Sequence, residues 1–316
     1  MSLLSPPRVR ASLARDLEAS VPAADAQALR ALQRPEPSAP QSRAQRCAAR
    51  APANGAEFVV QELERRGINT VIGIPGGAIL PLYDALAQSQ IRHVLARHEQ
   101  GAGFIAHGMA RATGNAAVCL ATSGPGVTNL ITALADARAD SVPIVAITAQ
   151  VPRALIGTDA FQEVDTCALA RPVTKASFFA SSAAELARLL PYAFELATRG
   201  RPGPVLIDIP KDVFKEPLPE PSTRNAPPLP PASPSLTGHV QEHLDASQAS
   251  TWRRIAGLLR ESQRPLLYIG GGIHMSGAHA ALAELARRAD VPMVSSLHGL
   301  GSFPGDDPRW LGMLGM

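Results

Sequence analysis

Between residues 70 and 209, short apolar runs alternate regularly with helical segments. Six runs rich in β-branched or small apolar residues are predicted as strands, at residues 70–74, 93–96, 116–121, 144–148, 174–178 and 205–209. Most of the intervening segments have apolar residues at helical spacing. This alternation predicts βαβ units, and hence a doubly wound, parallel six-stranded α/β sheet covered by helices on both faces.

A carboxylate, Glu99, stands in a turn between one predicted strand and the next helix. The preceding run, residues 93–96, is interpreted as a buried strand, and residues 102–113 as a helix. Open α/β sheets bind ligands outside the carboxyl ends of their strands, which makes Glu99 a candidate site residue. A plain first-turn acid, favoured by the helix dipole, is the alternative.

Two glycine-rich turns, residues 75–77 and 123–126, also follow a predicted strand and precede a helix. Glycines at such turns let the backbone approach a ligand closely. Neither turn has a Walker lysine or the Gly-x-Gly-x-x-Gly spacing, so a nucleotide site is not favoured there. Tight turns that serve helix packing remain an equal alternative.

Composition excludes several classes of function. Aromatic residues make up 4% of the chain and the net charge is only +3, so no nucleic-acid partner is expected. The three cysteines are too far apart for a disulfide framework or a metal site, which fits a reducing, cytoplasmic compartment. No run of apolar residues is long enough to span a membrane. Residues 1–53 are rich in Ala, Arg and Pro, and they are predicted to be a disordered arm.

Six ordered motifs carry a resemblance to a known family. They occupy residues 73–84, 97–103, 122–129, 157–163, 200–205 and 209–213. Together they closely resemble the large catalytic subunit of acetolactate synthase (acetohydroxyacid synthase), a thiamine-diphosphate enzyme. The resemblance runs from about residue 55 to the last residue.

The resemblance implies that residues 54–215 are the pyrimidine-binding domain. The glutamate that matches Glu99 hydrogen-bonds N1′ of the cofactor's aminopyrimidine and favours the imino tautomer, which removes the thiazolium C2 proton. Pyruvate is then decarboxylated and condensed with a second pyruvate or with 2-oxobutyrate, the first common step of branched-chain amino acid biosynthesis. A carboxyl group in a dry pocket suits this proton transfer.

Other positions are matched residue by residue. Gly76 and Gly77 match the loop that lies against the cofactor. Val151, Pro152, Ala160 and Phe161 match the substrate channel and pocket, Gln162 a donor in that pocket, and Lys211 a lysine near its entrance. Asp159 and Glu163 are assigned no chemistry, because capping or ion pairing explains them better.

A second domain follows a proline-rich linker at residues 216–249. In residues 250–316 an apolar run leads into three glycines and a helix, which predicts an incomplete, Rossmann-like middle domain. By resemblance this domain binds FAD in a non-redox role. The matching residues are Arg201, Gly270, Gly271, Gly272, Ser296, Leu297, Leu314, Gly315 and Met316.

The chain ends inside a family motif, and we expect the predicted strand at residues 291–295 to lack later partners. No Gly-Asp-Gly motif occurs, so the domain that holds Mg²⁺ and the cofactor's diphosphate is expected to be absent and no metal ligand is assigned. The family builds its active sites between two catalytic subunits, in dimers or tetramers, and can bind a small regulatory subunit. The 316-residue chain alone is therefore expected to have no turnover.

Two alternatives stay open. One is another thiamine-diphosphate enzyme of 2-oxoacids, such as pyruvate oxidase or glyoxylate carboligase. Glu99 argues against the carboligase, which has an apolar residue at that position, and Phe161 and Gln162 favour acetolactate synthase. The other is a non-catalytic chain that pairs with or regulates a complete synthase.

Overall fold

The structure, a computed structural model, describes residues 51–218 and 249–315. The predicted N-terminal arm, most of the predicted linker and Met316 lie outside these residues. No helix in the described ranges is long and apolar enough to cross a bilayer.

Residues 51–218 form the predicted α/β sandwich. Its strands and helices alternate as α1 (Gly55–Arg65), β1 (Thr70–Gly73), α2 (Leu80–Leu86), β2 (Arg92–Leu95), α3 (Glu99–Thr113), β3 (Ala117–Ala121), α4 (Pro125–Ala139), β4 (Ile144–Gln150), α5 (Thr166–Ala170), β5 (Ala176–Phe179), α6 (Ala183–Thr198), β6 (Val205–Pro210) and α7 (Lys211–Lys215). All six predicted strands are present, within a few residues of their predicted bounds. The short helices α5 and α7 were not predicted.

The six strands form one parallel sheet in the order β2-β1-β3-β4-β6-β5. The chain first moves outward from β1 to β2, then crosses back to β3 on the other side of β1. This reversal makes a topological switch point between β1 and β3. A crevice opens at such a point beyond the carboxyl ends of the strands, and ligands of open α/β sheets bind there.

The core lies on both faces of the sheet. Every residue of β3, β4 and β6 is buried, as expected of central strands covered by helices on both sides. The interpretation of residues 93–96 as a buried strand is wrong: β2 is an edge strand, and Leu95 at its end is 62% exposed. An apolar run alone does not distinguish a central strand from an edge that another surface could cover.

Residues 249–315 contain a smaller parallel sheet in the order β7-β8-β9. Its elements are α8 (Ala249–Glu261), β7 (Leu267–Ile269), α9 (Gly272–Ser276), α10 (His279–Ala289), β8 (Met293–Ser295) and β9 (Trp310–Met313). The expectation that the strand near residues 291–295 lacks a later partner is wrong. Strand β8 pairs with β7 on one side and with β9 on the other. Strand β9 is short and contains a glycine, so its sequence carries little strand signal.

Candidate functional site

Glu99 is the first residue of α3 and lies at the carboxyl edge of the sheet. The side chain of His98 caps the helix, because its Nδ1 accepts the backbone N–H of Gln100 at 3.1 Å. Glu99 is only 9% exposed. The helix N terminus favours a negative charge at this position, so the fold offsets part of the cost of burying the carboxylate.

One oxygen of this buried carboxylate is held by the neighbouring helix. Asn129 on α4 donates its side-chain N–H to Glu99 Oε2 at 2.9 Å. The other oxygen, Oε1, lies close to Gly126, since a Cβ built on that glycine would be 3.6 Å from it. The carboxyl group is thus fixed by one side chain while its second oxygen faces the turn after β3. Asn129 was part of a quoted motif, but nothing in the sequence identified it as the partner of Glu99.

The two glycine-rich turns meet across the switch point. A Cβ on Gly76, after β1, would stand 2.5 Å from the Cβ of Thr122, after β3. On the same second turn, Gly124 has a φ of 60°, and its Cβ would stand 2.7 Å from the backbone oxygen of Gln162. Glycine is required at both places because protein atoms already fill the space. In contrast, no atom of the described chain lies within 4 Å of a Cβ built on Gly77.

Thr122 contributes an unpartnered polar atom to this crevice. Its Oγ1 is buried and has no hydrogen-bond partner among the described residues. Buried hydroxyl groups are nearly always hydrogen-bonded, so an orphan at a ligand-binding edge points to a partner supplied from outside. Sequence reasoning could not find it, because the missing bond is visible only in three dimensions.

A second polar pair lies behind the crevice. Tyr83 Oη and His93 Nε2 are 3.1 Å apart, and a Cβ on Gly73 would stand 2.9 Å from the tyrosine oxygen. Burial, followed by the negative charge of Glu99, raises the pKa of Tyr83. Burial also lowers the pKa of His93, partly offset by a hydrogen bond with the backbone of Gly73. Both side chains are therefore neutral at pH 7.

The loop at residues 151–165 carries the predicted pocket residues Phe161 and Gln162. Glu163 organises it, as its carboxylate accepts the backbone N–H of Gly157 and that of Ala160. Of the two roles expected for Glu163, capping or ion pairing, these bonds show the capping of backbone N–H groups, and they lower its pKa. Gln162 has a φ of 61°, a left-handed conformation that is uncommon outside glycine. Phe161 is 88% exposed, so its ring has no packing partner that would cover it within the described chain.

A buried polar network anchors the base of the same loop. Gln150, at the end of β4, donates to the backbone oxygen of Val164 at 2.8 Å and to Asp208 Oδ2 at 3.0 Å. Thr148 donates to Asp208 Oδ1 at 2.8 Å. Burial raises the pKa of Asp208 to about 6, although the hydrogen bonds from Thr148, Thr166 and Gln150 oppose the shift. Nothing in the sequence indicates this network, because its members are far apart along the chain.

The predicted site residues of the first sheet fall into two groups. Gly76, Gly77, Glu99, Val151 and Lys211 all follow the carboxyl ends of strands, and so lie along one edge with Pro152, Ala160, Phe161 and Gln162 on the loop that begins there. The pairing of Gln150 with Pro210 brings Val151 and Lys211 to neighbouring positions.

Arg201 belongs to the opposite edge of the sheet. It precedes β6, and its guanidinium donates to Ser141 Oγ at 2.7 Å and to the backbone oxygen of Ala139 at 3.0 Å, at the end of α4. The structure therefore does not bring Arg201 together with Glu99.

The predicted residues of the second sheet meet at its own carboxyl edge. A Cβ on Gly270 would stand 3.6 Å from Ser296 Oγ, and one on Gly271 would stand 3.1 Å from the Cβ of His298. Leu314 follows β9 and donates its backbone N–H to Ser295. Leu297 is exposed, Gly272 is the first residue of α9, and Gly315 follows β9.

Residues 51–218 are thus an α/β domain with a buried glutamate and two glycine turns at the switch point of its six-stranded sheet. Comparison with known families agrees. Residues 53–169 match the thiamine pyrophosphate enzyme N-terminal TPP binding domain, and residues 252–316 match the central domain of the same enzymes. The chain belongs to the thiamine pyrophosphate enzymes.

Within that family the chain is homologous to acetolactate synthase large subunits. It is 51% identical to the isozyme 1 large subunit of Escherichia coli K12 over 263 residues, which are 83% of this chain and 44% of that protein. Identity to the isozyme 2 large subunit is 48%, over 83% of this chain and 45% of the relative. The probable large subunit of Methanocaldococcus jannaschii is 46% identical over 83% of this chain and 43% of its own length. The chain thus spans less than half the length of these relatives.

Proposed function

We propose that this chain provides the pyrimidine-binding side of a thiamine-diphosphate site that makes acetolactate from pyruvate. The observation that carries the proposal is the buried Glu99 carboxylate, held by Asn129 on one oxygen at the sheet's switch point. The orphan hydroxyl of Thr122 and the two glycine turns fit a flat, polar ring that enters the crevice. The homology to acetolactate synthase large subunits supports pyruvate and 2-oxobutyrate as the substrates.

Each residue has a physical task in this proposal. Glu99 shares a proton with a ring nitrogen of the cofactor, and burial keeps that proton from exchanging freely with water. Gly77 lets the backbone approach the ligand, and Gly76 lets its turn pack directly against Thr122. Thiamine diphosphate, when bound, supplies the electron sink for decarboxylation of a 2-oxoacid. Phe161 and Gln162 border the substrate pocket together with Val151, Pro152, Ala160 and Lys211.

The second sheet is proposed to hold FAD. Gly270, Gly271 and Ser296 line one edge, where bare backbone can approach a pyrophosphate, and Leu297, Leu314 and Gly315 lie in the adjoining turns. Arg201 makes three hydrogen bonds at the end of α4 in the first domain, to Ser141 and to the backbone oxygens of Arg138 and Ala139. Mg²⁺, which the resemblance associates with the cofactor's diphosphate, is assigned no ligand in the described ranges.

The partners are also proposals. Leu95, Phe104 and Ile105 are each at least 40% exposed near the edge that carries Glu99, which suits a self-association face. The relatives are named large subunits, and we propose that this chain too works beside a smaller regulatory subunit. The free thiols Cys119 and Cys167 suit a reducing, cytoplasmic compartment.

A hybrid enzyme tests the proposed reaction. Residues 53–316 would replace the matching segment of the E. coli isozyme 1 large subunit, and the purified hybrid would receive thiamine diphosphate, Mg²⁺, FAD and pyruvate. We expect acetolactate, and acetohydroxybutyrate when 2-oxobutyrate is added. Oxidation of pyruvate by O2 in the presence of phosphate, to acetyl phosphate, CO2 and hydrogen peroxide, or condensation of glyoxylate alone, would instead indicate another reaction of the same family. The isolated 316-residue chain is expected to give no product.

A further inference from the structure

A second cluster of chemically active side chains lies away from the Glu99 crevice, between α3 and α4. The two helices approach closely at Gly103, where a Cβ would stand 2.5 Å from the Cβ of Ala133. One turn further along, this contact brings His107 of α3 beside Asp136 of α4. Asp140, which caps the end of α4, lies one turn beyond Asp136 on the same side.

The ligand atoms of these three residues converge. His107 Nε2 is 3.6 Å from Asp136 Oδ2 and 3.9 Å from Asp140 Oδ2, and each residue offers an atom within 4.8 Å of the other two. Two tetrahedral ligands of a zinc ion stand about 3.4 Å apart, given metal–ligand distances of about 2.1 Å. Small side-chain rotations would therefore bring all three atoms into coordination distance.

The imidazole of His107 has a buried nitrogen atom that lacks a hydrogen-bond partner. The residue is 8% exposed, and its Nε2 is buried without a hydrogen-bond partner in the described chain. The two nearby carboxylate oxygens lie beyond hydrogen-bonding distance. A buried imidazole nitrogen with no partner, facing two carboxylates, is an arrangement that a cation would complete.

We propose that His107, Asp136 and Asp140 form a binding site for a divalent transition-metal cation of the zinc type. One imidazole and two carboxylates suit such an ion better than Mg²⁺ or Ca²⁺, which prefer oxygen ligands alone. Asp136 is about half exposed, which leaves an entry path and room for water as a further ligand. The site ties α3, which begins at Glu99, to the end of α4. It is independent of the thiamine-diphosphate proposal.

Arg111 opposes the cation. Its Nη1 donates to Asp140 Oδ2 at 2.9 Å, the same oxygen that faces His107, and its Nη2 is 3.1 Å from His298 Nδ1. His298 Nε2 lies 3.5 Å from Asp140 Oδ1. The fixed positive charge of the Arg111 guanidinium must weaken the binding of a metal cation at this site. Removal of Arg111 should therefore tighten metal binding. A purely structural role of the cluster would not produce this increase in affinity.

The test uses the full chain, stripped of metal and titrated with Zn²⁺ in competition with a coloured chelator. We expect the H107Q and D136N variants to lose at least about tenfold in zinc affinity and R111Q to gain roughly threefold or more. H279Q is the matched control, because His279 lies 3.0 Å from His274 in an exposed pair that could also attract zinc.

Three results would overturn the proposal: D136N binding zinc as wild type does, loss of affinity in H279Q alone, or R111Q with unchanged or weaker affinity. Asp136 is exposed enough for D136N to fold, so the experiment stays decisive even if H107Q does not fold.

Discussion

The buried carboxyl group of Asp208 makes the stability of the fold depend on pH. The residue is 1% exposed, and its carboxyl group accepts hydrogen bonds from Thr148 and Gln150 but is paired with no cation in the described structure. Burial raises its pKa from 3.8 to about 6, and the charge of Asp165 adds to the shift. The folded protein therefore holds a proton on Asp208 at pH values where the unfolded chain has lost it.

Proton linkage determines whether the stability rises or falls with pH. Between pH 3.8 and about 6 the folded state binds one more proton than the unfolded state, so raising the pH destabilises the fold. The shift of about two pKa units corresponds to roughly 3 kcal/mol over the whole range, since each unit is worth about 1.4 kcal/mol. Of this, about 1.4 kcal/mol should be lost between roughly pH 5.0 and 7.5.

The perturbation is Asp208→Asn, which keeps the shape but cannot ionise. The assay is urea unfolding followed by far-UV circular dichroism, on both proteins, across this pH range. Subtraction of the two curves cancels every other titrating group. The stability of wild type relative to the variant should fall by about 1.4 kcal/mol as pH rises. If the difference in unfolding free energy between wild type and D208N is constant with pH, or grows in favour of wild type, burial does not dominate the pKa of Asp208.

Three further predictions concern the packing of a glycine turn, the reactivity of two buried thiols and the order of the loop at residues 151–165. Gly76→Ala should lower the free energy of unfolding by about 1–3 kcal/mol because its Cβ would overlap Thr122. Gly77→Ala, whose Cβ meets no described atom, should be near neutral, and equal losses in thermal melts of the two variants would contradict this. Burial raises the pKa of both Cys119 and Cys167 to about 12 from 9.0, which lowers their thiolate fraction at pH 8 by about a thousandfold. Because a thiolate of higher pKa is more nucleophilic, iodoacetamide should alkylate each at least about tenfold more slowly than an unfolded cysteine, as measured by mass spectrometry of the peptides; rapid labelling of the folded chain would show that the thiols are more accessible than described. Glu163→Ala should speed proteolysis within residues 151–165, with Glu163→Gln intermediate, because the carboxylate holds two backbone N–H groups of that loop; unchanged cleavage would show that other contacts hold the loop.

The sheet could be predicted because its signals are local. Apolar runs alternating with helical spacing identified all six strands of residues 51–218, and the position of Glu99 at a strand-to-helix turn followed from the same pattern. Short elements were missed: α5, α7 and β9 are each too brief to establish a period. The exposed edge position of β2 also could not be predicted, because it depends on strand order rather than on the composition of the strand.

The chemistry of the site was only partly visible in the sequence. Glu99 and Gly76 were identified, since a carboxylate and a glycine at such turns have specific physical uses. Asn129, the orphan hydroxyl of Thr122 and the network around Asp208 were not, because each depends on a partner that only the fold supplies. The cluster of His107, Asp136 and Asp140 was missed for the same reason, since its members have no ligand-like spacing along the chain.

The proposed function requires that Glu99 share a proton with the bound cofactor. In the hybrid with the E. coli large subunit, the rate of acetolactate formation is compared between Glu99 and Glu99→Gln, with the affinity for thiamine diphosphate measured in parallel. Glu195→Gln, an exposed carboxylate on α6, is the control. We expect the rate to fall by at least about a hundredfold in E99Q, with cofactor still bound and the control unchanged. A rate for E99Q within about threefold of the parent, at saturating cofactor, would contradict it.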